Sequence, residues 1–373
     1  MQRAALLFAV AVAAAALAAA ASAAPPPVRA EAYYVQNAAT GEVLAAHRER
    51  EQRPIASITK LMTALVAVDR ADLDEIVTVA APAAATGEAT LDLRARERVP
   101  LRDLLRAALV HSANDAAVAV AVHVGGTVER FVALMNARAR QLGLADTRFA
   151  NPHGLDAPGH VSSARDATLL ARVAMRNPFI RTAVQEVRGT AAGRPIATWN
   201  DLLTSFPRLI GVKTGHTNGA GWSQVAAVRG QGLTIYATLL GGRTREGRNE
   251  DLAALLRWGL DQYRVTWTIA ERTTYGTVAT AYGRPPVRLV AAKPALRVVR
   301  VGRPLVERVV APLEVALPVR AGARLGEVQV LLGDRIVARS PLVAATAVER
   351  PGRLERVRFY AARTLHHLGG LFS

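Results

Sequence analysis

The sequence predicts an α+β fold: an antiparallel sheet flanked by helices and carrying a helical insert, then a small β-sandwich-like module, then an amphipathic C-terminal helix. Three observations carry this reading. Short strand-like runs around a glycine turn at residues 32–45 lead into an apolar helical stretch at 61–68. Helix-period leucines and alanines between residues 101 and 142 separate that start from alternating or apolar strand runs near 209–240. After Glu271 strand-like runs recur between turn residues without a long helical pattern, until residue 353 restores a helical period.

Composition sets the outer bounds. A chain of 373 residues, 51% of them hydrophobic, can build one large domain and a smaller one. The formal charge of +17 points to an anionic partner. Its basic residues are nearly all arginine and scattered, with no zinc-finger or RNA-binding signature. A polyanionic surface such as phospholipid or cell-wall polymer therefore fits better than nucleic-acid readout. Arginine as the default basic residue of a GC-rich genome explains the same count. Arg3, the apolar run from Ala4 to Ala21 and the small-x-small Ala21-Ser22-Ala23 make residues 1–23 a secretory signal peptide cut before Ala24. The run is also long enough for an uncleaved anchor. The absence of cysteine excludes disulfides, thiol catalysis and thiolate metal sites.

The elements follow in order. Residues 32–35 and 42–45 form a hairpin around Gly41, after a Pro25-Pro26-Pro27 spacer. Pro54-Ile55-Ala56-Ser57-Ile58-Thr59-Lys60 then opens the first apolar helix. Ser57 and Lys60, three apart, share a helix face. A serine hydroxyl needs a neighbouring base, and a lysine serves only where burial or a second cation lowers its pKa. Alone, such a Ser-x-x-Lys arises by chance on the order of once in a chain this long. The apolar helices of the insert break at Val110-His111-Ser112-Ala113-Asn114-Asp115. This patch reads as an N-cap, with Asp115 capping the next helix, or as Ser112 and Asn114 directed together into a cleft.

A loop rich in Asn, Pro, His and Gly spans residues 147–159, and Ser163-Ala164-Arg165-Asp166 caps a helix through Val173. His153 and His160 do not stand at metal-ligand spacing and read as turn-packing residues. Lys213-Thr214-Gly215 sits on a strand and by itself is a strand end. Two further strands, 225–228 and 233–240, precede a helix through Trp258. In the β-rich part, strands are expected at 287–292, 296–301, 306–310, 313–318, 328–332 and 336–339. In the tail, Leu354, Val357, Ala361, Leu365 and Leu368 form one stripe, with Arg356, Arg363 and His367 opposite. Such a helix suits the interface of an anionic membrane, or packs on its own domain.

Ser57-x-x-Lys60, Ser112-x-Asn114 and Lys213-Thr214-Gly215, in that order within a hairpin, helical insert and sheet, resemble the penicillin-binding proteins and class A β-lactamases. The segments 32–44, His153 to Gly159, Ser162 to Asp166 and Lys213-Thr214-Gly215-His216-Thr217 narrow the resemblance. They are similar to the low-molecular-mass D-alanyl-D-alanine carboxypeptidases, the penicillin-binding protein 5 and 6 group of serine peptidase family S11. The likeness spans essentially the whole mature chain and is looser after Gly259. It implies a signal peptide at 1–23, a peptidase domain of the β-lactamase/DD-peptidase type at 24–263, a β-rich domain at 264–349 and a membrane-anchor tail at 350–373.

The resemblance also implies roles. Ser57 would attack the carbonyl between the two terminal D-alanines of a peptidoglycan stem pentapeptide, with Lys60 as base. Lys213 would help keep Lys60 neutral, Ser112 would pass the proton to the leaving amine, and Asn114 would hold the substrate amide. The N–H groups of Ser57 and His216 would form the oxyanion hole, one donor being worth about 3–4 kcal/mol in comparable enzymes. Thr214 and Arg248, in the loop after the last core strand, would bind the terminal carboxylate. β-Lactam antibiotics would acylate Ser57, no metal or cofactor is required, and residues 353–373 would hold the protein to the periplasmic face of the inner membrane. Two departures stand out. Thr198-Trp199-Asn200-Asp201-Leu202-Leu203 keeps only the second Asn of the family's Asn-x-Asn-x-Leu-Leu, and Ser-Ala-Asn replaces Ser-Gly-Asn. A β-lactamase is the rival enzyme, but residues 151–159 lack its Glu-x-x-x-Asn pair. A catalytically silent peptidoglycan-binding protein is the non-enzymatic alternative.

Overall fold

The computed structural model describes residues 8–13 and 24–369. The chain divides into two compact units, Ala23–Gln262 and a second built from Tyr263 onward together with the Phe8–Ala13 strand. The remainder of the expected signal peptide lies outside the described residues.

The first unit holds a five-stranded antiparallel sheet of β1 (Ala32–Asn37), β2 (Val43–His47), β3 (Leu209–Thr217), β4 (Gly221–Gly230) and β5 (Leu233–Gly242), in the order β2-β1-β5-β4-β3. β3 is thus an edge strand. Alternation assigns each face its partner. Tyr34, Val225, Ala227, Tyr236 and Leu240 join the core of the helical insert, while Val35 and Ile235 face Gly259 on the other side. Six of the unit's helices are α1 (Lys60–Val68), α2 (Leu101–Arg106), α3 (Asn114–Gly125), α4 (Val128–Gln141), α5 (Ala164–Ala174) and α6 (Arg245–Asp261).

Two of these helices are apolar almost all round and are consequently central. From Lys60 to Ala67 every residue of α1 is buried, as is every residue of α3 from Asn114 to Ala121. The charged groups at their N-terminal ends are therefore carried into the protein with them. α4 is amphipathic instead, burying Phe131, Met135 and Ala139 and turning its charges outward. The cap predicted at Ser163 is present, its side chain accepting from Asp166 N. Asp115 is not the N-cap of α3. The helix begins one residue earlier, and the carboxylate reaches back to the preceding loop.

In the second unit a seven-stranded sheet and the Tyr263–Ile269/Ala295–Arg300 pair enclose a core of Ile269, Val278, Leu289, Val299, Val328 and Leu342. The strand expected at 313–318 shrinks to Glu314–Val315, because Pro312 and Pro318 remove ladder donors at both ends. Strands Tyr263–Ile269 and Thr274–Thr280 went unanticipated; their burial does not alternate, and the apolar Val265 and Trp267 of the first are exposed. The tail forms α7 (Arg353–Gly369). Phe359 and Tyr360 set their rings against Tyr282 and Glu355 pairs with Arg284, while Leu354 and Val357 are 80% and 66% exposed. Among the described residues no single helix is long and apolar enough to cross a membrane.

Candidate active site

Ser57 lies on one 3₁₀ turn, Ala56–Thr59, that runs directly into α1, whose first residue is Lys60. Residues three apart eclipse in such a turn, and Lys60 Nζ stands 2.7 Å from Ser57 Oγ. Ile55, Ile58, Leu61 and Met62, all fully buried, anchor the turn in the core.

Lys60 Nζ has two further contacts of 2.7 Å, to Asn114 Oδ1 and to the carbonyl oxygen of His153. The amide orientation of Asn114 is fixed because its nitrogen donates to Glu88 O at 2.9 Å. Desolvation, and after it the neighbouring Lys213, pulls the Lys60 amine well below its ordinary range, with Asp115 opposing. A neutral amine has two N–H groups and one lone pair. In that form the two obligate acceptors would take the N–H groups and the lone pair would face Ser57 Oγ. Asn114 is engaged on both sides of its amide, its oxygen on Lys60 and its nitrogen on Glu88 O.

The insert supplies the opposite wall. A π-helical turn at Ala107–His111 follows α2, and Ser112 then takes a left-handed conformation with φ of 66° before α3 begins. The wide turn and the reversal place the Ser112 hydroxyl in the cleft. Asp115 accepts from Leu91 N and Leu93 N at 3.0 and 3.1 Å, and Asn114 N donates to Ala89 O at 2.8 Å. These bonds fold residues 87–93 over the site.

Lys213 comes from β3. Its amine contacts Ser112 Oγ and Thr214 O, each at 3.1 Å, and burial, then Arg248, lowers its pKa to about 7. The edge strand approaches the nucleophile closely. A Cβ on Gly215 would stand 2.9 Å from Ile55 O and 3.0 Å from Ser57 N. Gly154 supports the same turn from the other side, with φ of +97° and room for no side chain, since a Cβ there would lie 2.0 Å from Ala56 O. Asn151 Oδ1 accepts from Gly154 N at 2.7 Å and so bends the loop that presents the His153 carbonyl. His153 contributes through its backbone. Its ring is held neutral by burial, with a pKa of about 3. His160 is likewise lowered to about 4, with Nδ1 accepting from Ala150 N and Nε2 donating to Thr59 Oγ1.

A cleft of about 210 Å³ opens over these groups, lined by Ser57, Ala89, Ser112, Trp199, Thr214, Gly215, His216, Trp222 and Arg248. Arg248 stands on the fourth residue of α6 rather than in a loop. It is 2% exposed, and burial lowers its pKa to about 10, so it enters the cleft as a cation at neutral pH. Its guanidinium lies 5.6 Å over Trp222, against which His216 also packs with ring centroids 4.1 Å apart. All nine sequence-predicted site residues converge here, with Lys60, Asn114 and Lys213 beneath the surface that the others line. Trp199, Trp222 and the 87–93 loop were missed, and no spacing or pattern marks them. Among the described residues no three His, Asp or Glu side chains cluster as metal ligands.

A family model, D-alanyl-D-alanine carboxypeptidase, matches residues 19–244. The chain is 35% identical over 352 residues to D-alanyl-D-alanine carboxypeptidase DacD of Salmonella typhimurium, covering 89% of this chain and 90% of that protein. It is 30% identical to D-alanyl-D-alanine carboxypeptidase DacC of Escherichia coli over 93% and 91% of the two chains. The structure of penicillin binding protein 6B from Escherichia coli superposes with a TM-score of 0.65 at 31% identity, covering 87% of this chain and 98% of that one. A Ser–Lys pair beneath a Lys-Thr-Gly strand, in a chain matched by the family model over residues 19–244 and, over 89% of its length, 35% identical to the Salmonella protein, makes the chain a member of the D-alanyl-D-alanine carboxypeptidase family of serine peptidases.

Proposed function

We propose that the protein removes the terminal D-alanine from peptidoglycan stem pentapeptides through an acyl-enzyme at Ser57. The observation that carries this reading is the Lys60 amine, whose two N–H groups meet Asn114 Oδ1 and His153 O while Ser57 Oγ stands 2.7 Å away. Ser57 Oγ attacks the penultimate carbonyl as its proton passes to Lys60 Nζ. The oxyanion develops between the N–H groups of Ser57 and His216, which Gly215 allows to approach. The proton then reaches the departing D-alanine amine by way of Ser112, whose hydroxyl is held by Lys213. Water attacks the ester, Lys60 again takes the proton, and Ser57 is restored. Thr214 and Arg248 hold the terminal carboxylate, the one anion for which a buried guanidinium in the cleft is suited. β-Lactams acylate Ser57 because their strained amide occupies the position of the scissile bond.

The setting is the bacterial envelope. Residues 1–23 act as an export signal, and the exposed Leu354 and Val357 of α7, with the arginines beside them, rest on the anionic periplasmic face of the inner membrane. Incubation with a muropeptide pentapeptide tests the activity. Mass spectrometry is expected to show loss of one alanine with the wild type and none with Ser57→Ala. Intact pentapeptide after incubation with active-site-titrated wild type sinks the reading.

A further inference from the structure

Beside the cleft, a carboxylate that plays no part in the chemistry above organises two of its walls. Asp201 Oδ2 accepts from Asn249 Nδ2 and from Arg245 Nε, each at 2.8 Å. Asn249 Oδ1 in turn accepts from Arg248 Nη2 at 2.7 Å and from Arg248 Nε at 3.2 Å. A carboxylate on one side and a guanidinium on the other leave the Asn249 amide a single orientation. Arg248 Nη2 is itself 3.6 Å from Asp201 Oδ2. The Nε–Nη2 edge of Arg248 is thereby committed, and among the described residues Nη1 has no protein partner.

A guanidinium is planar, so holding one edge aims the remaining N–H groups. The segment that carries Asp201 is itself fixed, because the buried Asn200 accepts from Gln224 Nε2 at 2.8 Å on β4, opposite Thr214. Arg245, held by the same carboxylate, lies 5.5 Å over Trp199, whose indole N–H donates to His111 O at 3.0 Å.

We propose that Asp201 is a positioning residue for substrate carboxylate recognition, acting through Asn249 to aim Arg248 into the cleft. The inference rests on the proposed role of Arg248. It makes the stretch that departs from the family's Asn-x-Asn-x-Leu-Leu pattern a determinant of how strictly a free C-terminal carboxylate is required.

The test compares acyl-D-alanyl-D-alanine with the same peptide as its C-terminal amide, using the full chain. In the isosteric Asp201→Asn, KM for the carboxylate is expected to rise about tenfold with kcat little changed, and the carboxylate-to-amide ratio of kcat/KM to fall by a similar factor. Asn249→Ser breaks the relay while leaving Arg245 paired, and is expected to shift the ratio in the same way. That covers the case in which Asp201→Asn fails to fold. An equal loss on both peptides marks a merely structural role and overturns the proposal. So does an unchanged ratio in both relay variants while Arg248→Gln collapses it. An unchanged ratio in Arg248→Gln overturns the assignment of Arg248 itself.

Discussion

Two lysines are buried within one cleft, and the protein treats them differently. Lys60, at the start of a buried helix, has an obligate acceptor for each N–H of its neutral form. Lys213, on an edge strand, has one hydroxyl that can turn away and one carbonyl of the next residue. Lys60 is driven well below the lysine range, whereas Lys213 comes to rest at about 7. Burial alone does not distinguish them, since both are essentially solvent-free. The neighbouring cations differ: Lys60 faces the Lys213 ammonium, whereas Lys213 faces the Arg248 guanidinium. Arg248 pushes the Lys213 proton off, and any anion bound in the cleft draws it back.

The largest expected effect follows from the Lys60 half of this contrast. Lys60→Met deletes the base and leaves the serine hydroxyl with no acceptor for its proton, so acylation of Ser57 by labelled penicillin should slow by about 10³-fold. Acylation within tenfold of wild type would mean that another group takes the proton. Lys213→Met removes a proton path and an electrostatic neighbour rather than the base, and a turnover loss of about 10²-fold is expected in pentapeptide hydrolysis. A loss equal to that of Lys60→Met would erase the distinction between the two.

The pH profile sharpens it further. Activity rises with pH as Lys60 loses its proton, because the base must be neutral, and falls as Lys213 loses its own at about 7 in the unliganded protein. The falling limb of kcat/KM should vanish in Lys213→Met. In Arg248→Gln it should move upward by about one pH unit, since the arginine charge is what lowers Lys213 after desolvation. A downward move would contradict that coupling.

Much of this is legible in the sequence. The eclipsed Ser57–Lys60 pair follows from a spacing of three, and the central place of α1 and α3 follows from apolar residues on every side. The cation beside Lys60 is implied by the resemblance, as Lys213, but the acceptors that surround the Lys60 amine are not legible. His153 serves through a carbonyl, which any residue owns, so its side chain gave no hint. Asp115 reads as a cap because acids at helix starts usually are, but the helix that follows Ser112 starts at Asn114, two residues before a cap at 115 would start it. Arg248 was recognised by its distance from Trp258-Gly259, yet its orientation depends on Asn249 and Asp201, 48 residues apart. Local pattern carries the elements; the electrostatics of the cleft come from contacts distant in sequence.

The smallest expected effect is on stability, and its sign separates the two lysines. A lysine whose folded pKa lies below its unfolded value of about 10.4 destabilises the native state at low pH, because the unfolded chain binds the proton more tightly. For Lys213 that penalty is complete below about pH 7, shrinks as pH rises, and is gone above the unfolded value. Lys213→Met removes it while stranding little, since Ser112 Oγ can rotate. The variant should gain about 1–4 kcal/mol at pH 7, read as a Tm increase of several degrees that narrows steadily towards pH 10. Lys60→Met relieves a penalty of the same sign but leaves Asn114 Oδ1 and His153 O buried without a donor, at a cost of about 1–3 kcal/mol each. Its Tm should therefore stay level or fall. Equal gains in both variants would show that burial, and not the set of acceptors, governs how this cleft holds its lysines.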